Sequence, residues 1–171
     1  MWPRKIAVTG PESTGKSALC AALAAHFNTV WVPEFARTYL TPENTYTPQD
    51  LDNIAAGQTA SEKELEKRAN GILFCDTEMT VMKIWCEHSF GYCTPYITDL
   101  YNNQRYDLYL LADVDLPWEP DPLREHPHLR GYFFNRYREE LEKAGRNYLV
   151  VKGVGNERWK NIIRQFENLK I

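Results

Sequence analysis

Gly10-Pro11-Glu12-Ser13-Thr14-Gly15-Lys16-Ser17 fits G-x-x-x-x-G-K-[ST] at every constrained position. Glycine lets such a loop bend so that successive N–H groups point inward at anionic oxygens. A helix starting at Lys16 adds the attraction of its N-terminal dipole. In this geometry the lysine reaches the outer phosphates of a nucleotide, and the Ser17 hydroxyl completes the shell of a Mg²⁺ ion. The expected phosphate-binding residues are Gly10, Pro11, Glu12, Ser13, Thr14, Gly15, Lys16, Ser17 and Ala18. A chain of this length and ordinary composition meets the pattern by accident on the order of once in 200.

The flanks fit the loop. Lys5-Ile6-Ala7-Val8-Thr9 reads as a short buried strand, and Ala18, Leu19, Ala22, Leu23, His26 and Phe27 recur at helical spacing after it. Four further apolar runs have strand length, at 29–32, 72–75, 108–112 and 148–151. Helical patterns lie between them at 48–69, 79–87 and 134–143, and a last one carries Trp159, Ile162, Ile163, Phe166 and Leu169. Such alternation implies a parallel sheet covered on both faces, hence a three-layer α/β P-loop NTPase fold with a five-stranded parallel sheet. The 48–69 helix has a thin apolar stripe (Leu51, Ile54, Ala55, Leu65), which predicts a peripheral position. Residues 92–101 are aromatic and read as irregular, and 113–130, rich in Pro and charge, read as the least regular part of the chain.

The chain has 171 residues, 43% of them hydrophobic and 25% charged, a mean hydropathy of −0.53 and a formal net charge of −3. One domain spanning 1–171 is expected. The negative balance gives the fold as a whole no basic field for nucleic acid or an anionic membrane. Cys20, Cys75, Cys86 and Cys93 show no metal-like spacing and read as thiols in a reducing compartment. No run has the length of a membrane span, and the chain enters its first strand without a charged-then-apolar leader; a cytoplasmic protein is expected. The oligomeric state is left open, a homo-oligomer included.

Chemistry beyond the loop centres on strand ends. Asp76 closes an apolar strand, where a P-loop fold needs a carboxylate for Mg²⁺; capping of the next helix is the alternative role. Glu34 and Arg37 follow the second strand and so lie on the same edge of the sheet. A carboxylate there can accept the proton of an attacking hydroxyl, and an arginine can orient the acceptor or hold Glu34; a surface ion pair is the alternative. Between the fourth and fifth strands, Arg124, Arg130, Arg136 and Arg138 mark a helical lid over about 117–138. From it Arg124 and Arg130 would balance charge on a transferring phosphate. Trp118 lies just past a strand end, where an indole can stack on a flat ring or serve as core.

These residues together resemble the ribosylnicotinamide kinase domain of the NadR-like group of P-loop proteins. The resemblance rests on Gly-Pro-Glu-Ser-Thr-Gly-Lys-Ser at 10–17, Val-Pro-Glu-Phe-Ala-Arg at 32–37, Phe-Cys-Asp-Thr-Glu at 74–78, and Pro-Trp followed by Asp-x-x-Arg at 117–124. It implies a fold of the nucleoside- and nucleotide-kinase type, and a cytoplasmic enzyme that uses Mg²⁺-ATP to convert nicotinamide riboside to nicotinamide mononucleotide. It also implies Trp118 as a platform for the nicotinamide ring, with Asp121 and Glu34 as candidates for the ribose hydroxyls. Pro122 departs from the Gly that related sequences tend to carry after the Asp. Because the residues begin at the first strand, the adenylyltransferase and repressor modules fused in some relatives are not expected.

The leading expectation is therefore phosphoryl transfer with Lys16, Arg124 and Arg130 balancing charge, Ser17 and Asp76 holding Mg²⁺, Glu34 or Asp76 as base, and Arg37, Trp118 and Asp121 around the acceptor. The alternatives are a kinase for another nucleoside or coenzyme precursor, and a regulatory nucleotide switch. A GTPase is disfavoured, since no Asn-Lys-x-Asp motif occurs.

Overall fold

The computed structural model describes residues 3–41 and 45–169; of the side chains in the last helix, Leu169, counted above in its apolar stripe, lies outside the described residues. Five strands, β1 (Arg4–Thr9), β2 (Trp31–Val32), β3 (Ile72–Asp76), β4 (Leu108–Ala112) and β5 (Tyr148–Val151), form one parallel sheet in the order β2-β3-β1-β4-β5. β1 is central, and its neighbours β3 and β4 return from opposite directions along the chain. That reversal opens a crevice beyond the carboxyl ends of the strands, where ligands of such sheets bind.

Strand periodicity sorts the core into two faces. Ile6 and Val8 of β1, Phe74 of β3 and Leu110 of β4 pack on α1 (Lys16–His26) and α7 (Gly155–Leu169) through Leu19, Leu23, Ile162 and Phe166. The alternate residues Ala7, Tyr109 and Leu111 meet α4 (Met79–Phe90) and α6 (Arg130–Lys143) through Ile84, Phe133, Tyr137 and Leu141. Three layers result.

Sequence and structure differ at three places. Residues 95–103 are helical (α5, Pro95–Asn103), where an irregular segment is expected from 92 to 101. Thr94 caps this helix by accepting from the Ile97 amide, Pro95 occupies its first turn, and Ile97 and Tyr101 are its only buried residues. Two residues at i,i+4 are too short a stripe to stand out among aromatics. The helix at 48–66, α3 (Pro48–Glu66), starts with a Thr47–Asp50 capping box. Its Leu51, Ile54 and Ala55 form a second core with α4 and α5 rather than a loose edge. In the helical lid expected over 117–138, only the later part is helical: α6 begins at Arg130, and 113–129 crosses the crevice without regular structure, in keeping with its reading as the least regular part of the chain.

The cysteines are free thiols, Cys20, Cys75 and Cys86 being buried. Among the described residues no helix is long and apolar enough to cross a membrane.

Candidate active site

The loop after β1 is shaped by positions where a side chain does not fit. Gly10 has φ 129°, and a Cβ there would lie 2.9 Å from the carbonyl oxygen of Ala112 and 3.2 Å from its nitrogen. Ser13 (φ 54°) and Gly15 (φ 72°) are left-handed, and Gly15 caps α1. Within the loop, Thr14 Oγ1 and Lys16 Nζ both donate to the Pro11 carbonyl, at 2.7 and 2.8 Å. From outside, the buried Arg158 of α7 donates to the Thr14 carbonyl at 2.9 Å and to Asp115 at 2.6 Å. This brace reaches the loop ahead of α1 from the opposite end of the chain.

Parallel pairing puts Asp76 level with Val8, so its carboxylate ends beside the first turn of α1. Ser17 Oγ donates to Asp76 Oδ2 at 2.5 Å, while Asp76 Oδ1 is buried and has no partner among the described residues. Burial pushes the carboxyl up to about 6; the Lys16 ammonium pulls the other way. A hydroxyl and a carboxylate with a spare oxygen suit a hard cation such as Mg²⁺. No group of three or more His, Cys, Asp and Glu side chains could hold a metal among the described residues. The donor set therefore fits an ion shared with phosphate oxygens and water better than one caged by protein.

On the other side of the crevice, Arg37 of α2 (Ala36–Tyr39) forks between two carboxylates. Its Nε donates to Glu34 at 3.0 Å and its Nη1 to Asp121 at 2.9 Å. Burial works against the Arg37 charge, but the two acids outweigh it and raise its pKa. Asp121 is held low by the Leu123 amide and by Arg37. Fixed this way, Glu34 lines the same cleft as the loop at 10–17.

Sequence reasoning missed the residue that ties the two acids together. Gln58 of α3 is 1% exposed; its Oε1 accepts from the Phe35 amide at 2.9 Å, and its Nε2 donates to the carbonyls of Asp76 and Thr77, each at 3.3 Å. The turn carrying Glu34 and the strand end carrying Asp76 thus share one buried amide. The signal was present: Gln58 lies four after Ile54 and three after Ala55, a polar residue on the apolar stripe.

These groups open on one cleft of about 320 Å³. Residues 10–18, Glu34 and Arg37 form one wall, the α4 face Val81, Ile84, Trp85 and His88 another, and Arg124, Glu125 and His126 cover it. Of the expected residues, the loop, Glu34, Arg37 and Arg124 line the cleft; Asp76 lies behind Ser17, and Asp121 reaches it through Arg37. Trp118 and Arg130 are outside the lining. The Arg130 guanidinium sits 5.7 Å from the Trp118 ring centre and donates to the carbonyls of Ser13 and Leu116 at 3.1 and 2.9 Å. Arg124 donates to Ser13 Oγ at 3.4 Å and to the Glu119 carbonyl. Both arginines expected to balance charge on a transferring phosphate are thus held by oxygens of the loop and of the covering segment.

That segment is fastened by the phosphate loop. The Glu12 carboxylate accepts the amides of Glu125 and His126 at 3.1 and 3.0 Å, and Ser13 Oγ accepts the Glu119 amide at 2.8 Å.

A glycine-rich loop between β1 and α1, a strand-end carboxylate on its serine, and a parallel sheet around both define a P-loop α/β protein with the nucleoside- and nucleotide-kinase fold. The AAA domain family model matches residues 5–158, and the chain belongs to that family. It is 33% identical over 126 residues, 71% of this chain and 31% of each relative, to the trifunctional NAD biosynthesis/regulator protein NadR of Salmonella typhimurium and to that of Escherichia coli. Its fold matches a crystal structure of NadR protein in complex with NR (TM-score 0.80, 20% identity, 99% of this chain and 52% of that one). Thymidylate kinase from Ehrlichia chaffeensis also matches, with TM-score 0.68 and 14% identity over 98% of this chain and 100% of that one. So does a deoxyadenosine kinase from M. mycoides (TM-score 0.68, 14% identity, 96% and 99%). The chain spans about a third of the curated relatives' length and about half of the matched NadR chain.

Proposed function

We propose that this chain is a kinase that transfers the γ-phosphoryl group of ATP to the 5′-hydroxyl of nicotinamide riboside, giving nicotinamide mononucleotide and ADP in NAD biosynthesis. One observation carries the reading: the loop at 10–17, the Ser17–Asp76 pair and the Glu34–Arg37–Asp121 chain converge on a single cleft. The likeness to NadR proteins supports the choice of acceptor.

Each residue then has a task. Lys16 exchanges the Pro11 carbonyl for phosphate oxygens, and the loop amides hold the rest of the polyphosphate. Ser17 and Asp76 hold Mg²⁺, which when bound offsets charge on the phosphates. Glu34 takes the proton of the acceptor hydroxyl as its oxygen bonds to the γ-phosphorus and the bond to the ADP oxygen breaks. Asp76 is the poorer base, being buried behind Ser17. Arg37 and Asp121 fix Glu34 and border the ribose. Residues 117–138 act as the lid, with Arg124 the better placed of its arginines to meet the transferred group. The partners in this reading are small molecules, and the place of action is the cytoplasm.

ATP consumption coupled to a panel of nucleosides tests it. Stimulation by nicotinamide riboside, with nicotinamide mononucleotide as product, is expected. Turnover of a deoxynucleoside but not of nicotinamide riboside would overturn the named acceptor, and hydrolysis indifferent to every acceptor would overturn the kinase.

A further inference from the structure

The covering segment was expected to supply an indole for the acceptor, yet the indole that reaches the cleft comes from α4. Val81, Ile84, Trp85 and His88 fall at i, i+3, i+4 and i+7, one face of the helix, and all four line the cleft. Resting on the acceptor reading above, we infer that Trp85 is the platform on which the acceptor's aromatic ring stacks, and that the site favours a cationic ring over a neutral one.

The indole is held before any ligand arrives. Its Nε1–H donates to Tyr46 OH at 2.8 Å, and the two rings meet edge to face with centres 5.0 Å apart and planes at 70°. Tyr46 also packs edge-on against Phe90 at 6.0 Å. Burial raises the Tyr46 pKa, so the hydroxyl keeps its proton and donates it to Glu125 Oε2 at 3.0 Å while Ser89 approaches at 3.0 Å. The one hydrogen-bonding group of the indole is therefore spent on Tyr46, and the rest of this lining residue is apolar ring. A ring already fixed in orientation loses little freedom when a ligand stacks on it.

Charge decides which ring fits. The negative face of an indole attracts a cationic ring, and Glu125 adds a carboxylate one hydroxyl away. Of the basic groups lining the cleft, Arg37 is paired with Glu34 and Asp121, Lys16 and Arg124 sit on oxygens of residues 11, 13 and 119 where the phosphates would meet them, and burial and the neighbouring His126 hold the His88 imidazole below its usual range. A pyridinium nucleoside satisfies this wall. A purine or pyrimidine can stack on it but gains nothing from the charge.

The test uses the purified chain with W85L and W85F, steady-state kinetics for nicotinamide riboside and its neutral dihydro form, and difference absorbance for an indole–pyridinium charge-transfer band. The parent is expected to show the band and the lower KM for the cationic form. W85L should raise KM for nicotinamide riboside about tenfold, leave KM for ATP within about twofold, and abolish both the band and the preference. W85F should raise KM about threefold and also lose the band. If W85L does not fold, the spectrum and KM of W85F decide.

A parent that phosphorylates nicotinamide riboside without the band, and whose KM survives W85L or W85F, overturns the platform while the kinase reading stands. A parent inactive on nicotinamide riboside overturns the acceptor reading and the charge preference together. KM of these variants for whichever nucleoside is turned over then decides the platform, a rise supporting it and no change ending it.

Discussion

The two walls that meet over the phosphate loop are built by opposite means. Residues 10–17 carry much of their shape themselves, in two left-handed residues and in hydrogen bonds from Thr14 and Lys16 back to Pro11, and the contacts of Ala112 and Arg158 add to it from far along the chain. Residues 113–129 have no helix or strand of their own, and their path is set by Glu12 and Ser13, more than a hundred positions away in sequence. The contrast separates two kinds of dependence. Local geometry survives the loss of a distant partner, whereas a segment written in long-range hydrogen bonds is only as ordered as the side chains that hold it.

Substitutions can break that contrast from either side. The largest effect is expected from Lys16→Ala, which should cut kcat for the proposed reaction by about 10²–10³-fold. Turnover equal to the parent's would end the phosphate-loop reading. Next is Gly10→Ala, which forces a Cβ against the Ala112 backbone at φ 129°. It should destabilise the fold by about 1–3 kcal/mol and lower the melting temperature by several degrees. An unchanged thermal scan would mean that the loop is not shaped as described.

Gln58→Leu keeps the volume but removes the amide between Phe35 and Asp76. Its kcat should fall about tenfold with KM for ATP little changed, because the base and the metal ligand lose their common anchor. A rise in KM for ATP at constant kcat would place Gln58 elsewhere in the mechanism. The smallest of these effects is expected from Glu12→Ala. Amide exchange at Glu125 and His126 should accelerate about tenfold, while protection in β1 and β3 stays as it was. Equal protection at 125 and 126 in both proteins would show that the covering segment holds itself.

How much of this could be read from residues alone follows the same division. The loop, the five strands and the acids at 34 and 76 are legible because each depends on its own few neighbours. Glycine at a forbidden φ, alternating apolar runs and a carboxylate at a strand end need no partner to be recognised. Trp118 and Trp85 show where that stops. Trp118 follows β4 and Trp85 lies within α4, and nothing within five residues of either says that Trp118 turns to Arg130 while Trp85 lines the cleft. That choice is made by Tyr46, nearly forty positions away. Gln58 is a milder case: its place on an apolar stripe hints at a buried partner, but the partner is two carbonyls of another strand. The path of 113–129 was not legible at all, since its Pro-rich sequence dictates only what it cannot form.

Gly10 resting on the Ala112 peptide has a mechanical consequence. The cradle and the departing end of β4 touch main chain to main chain, so the aperture of the nucleotide mouth is gauged by two rigid backbones with no compressible side chain between them. Softening the distant face of the protein should then leave that aperture alone. Ile162→Val, in the core beneath α7, is expected to lower stability by about 1 kcal/mol while KM for ATP keeps its parental value. A KM that drifts with the melting temperature would show instead that the mouth is sprung from the core.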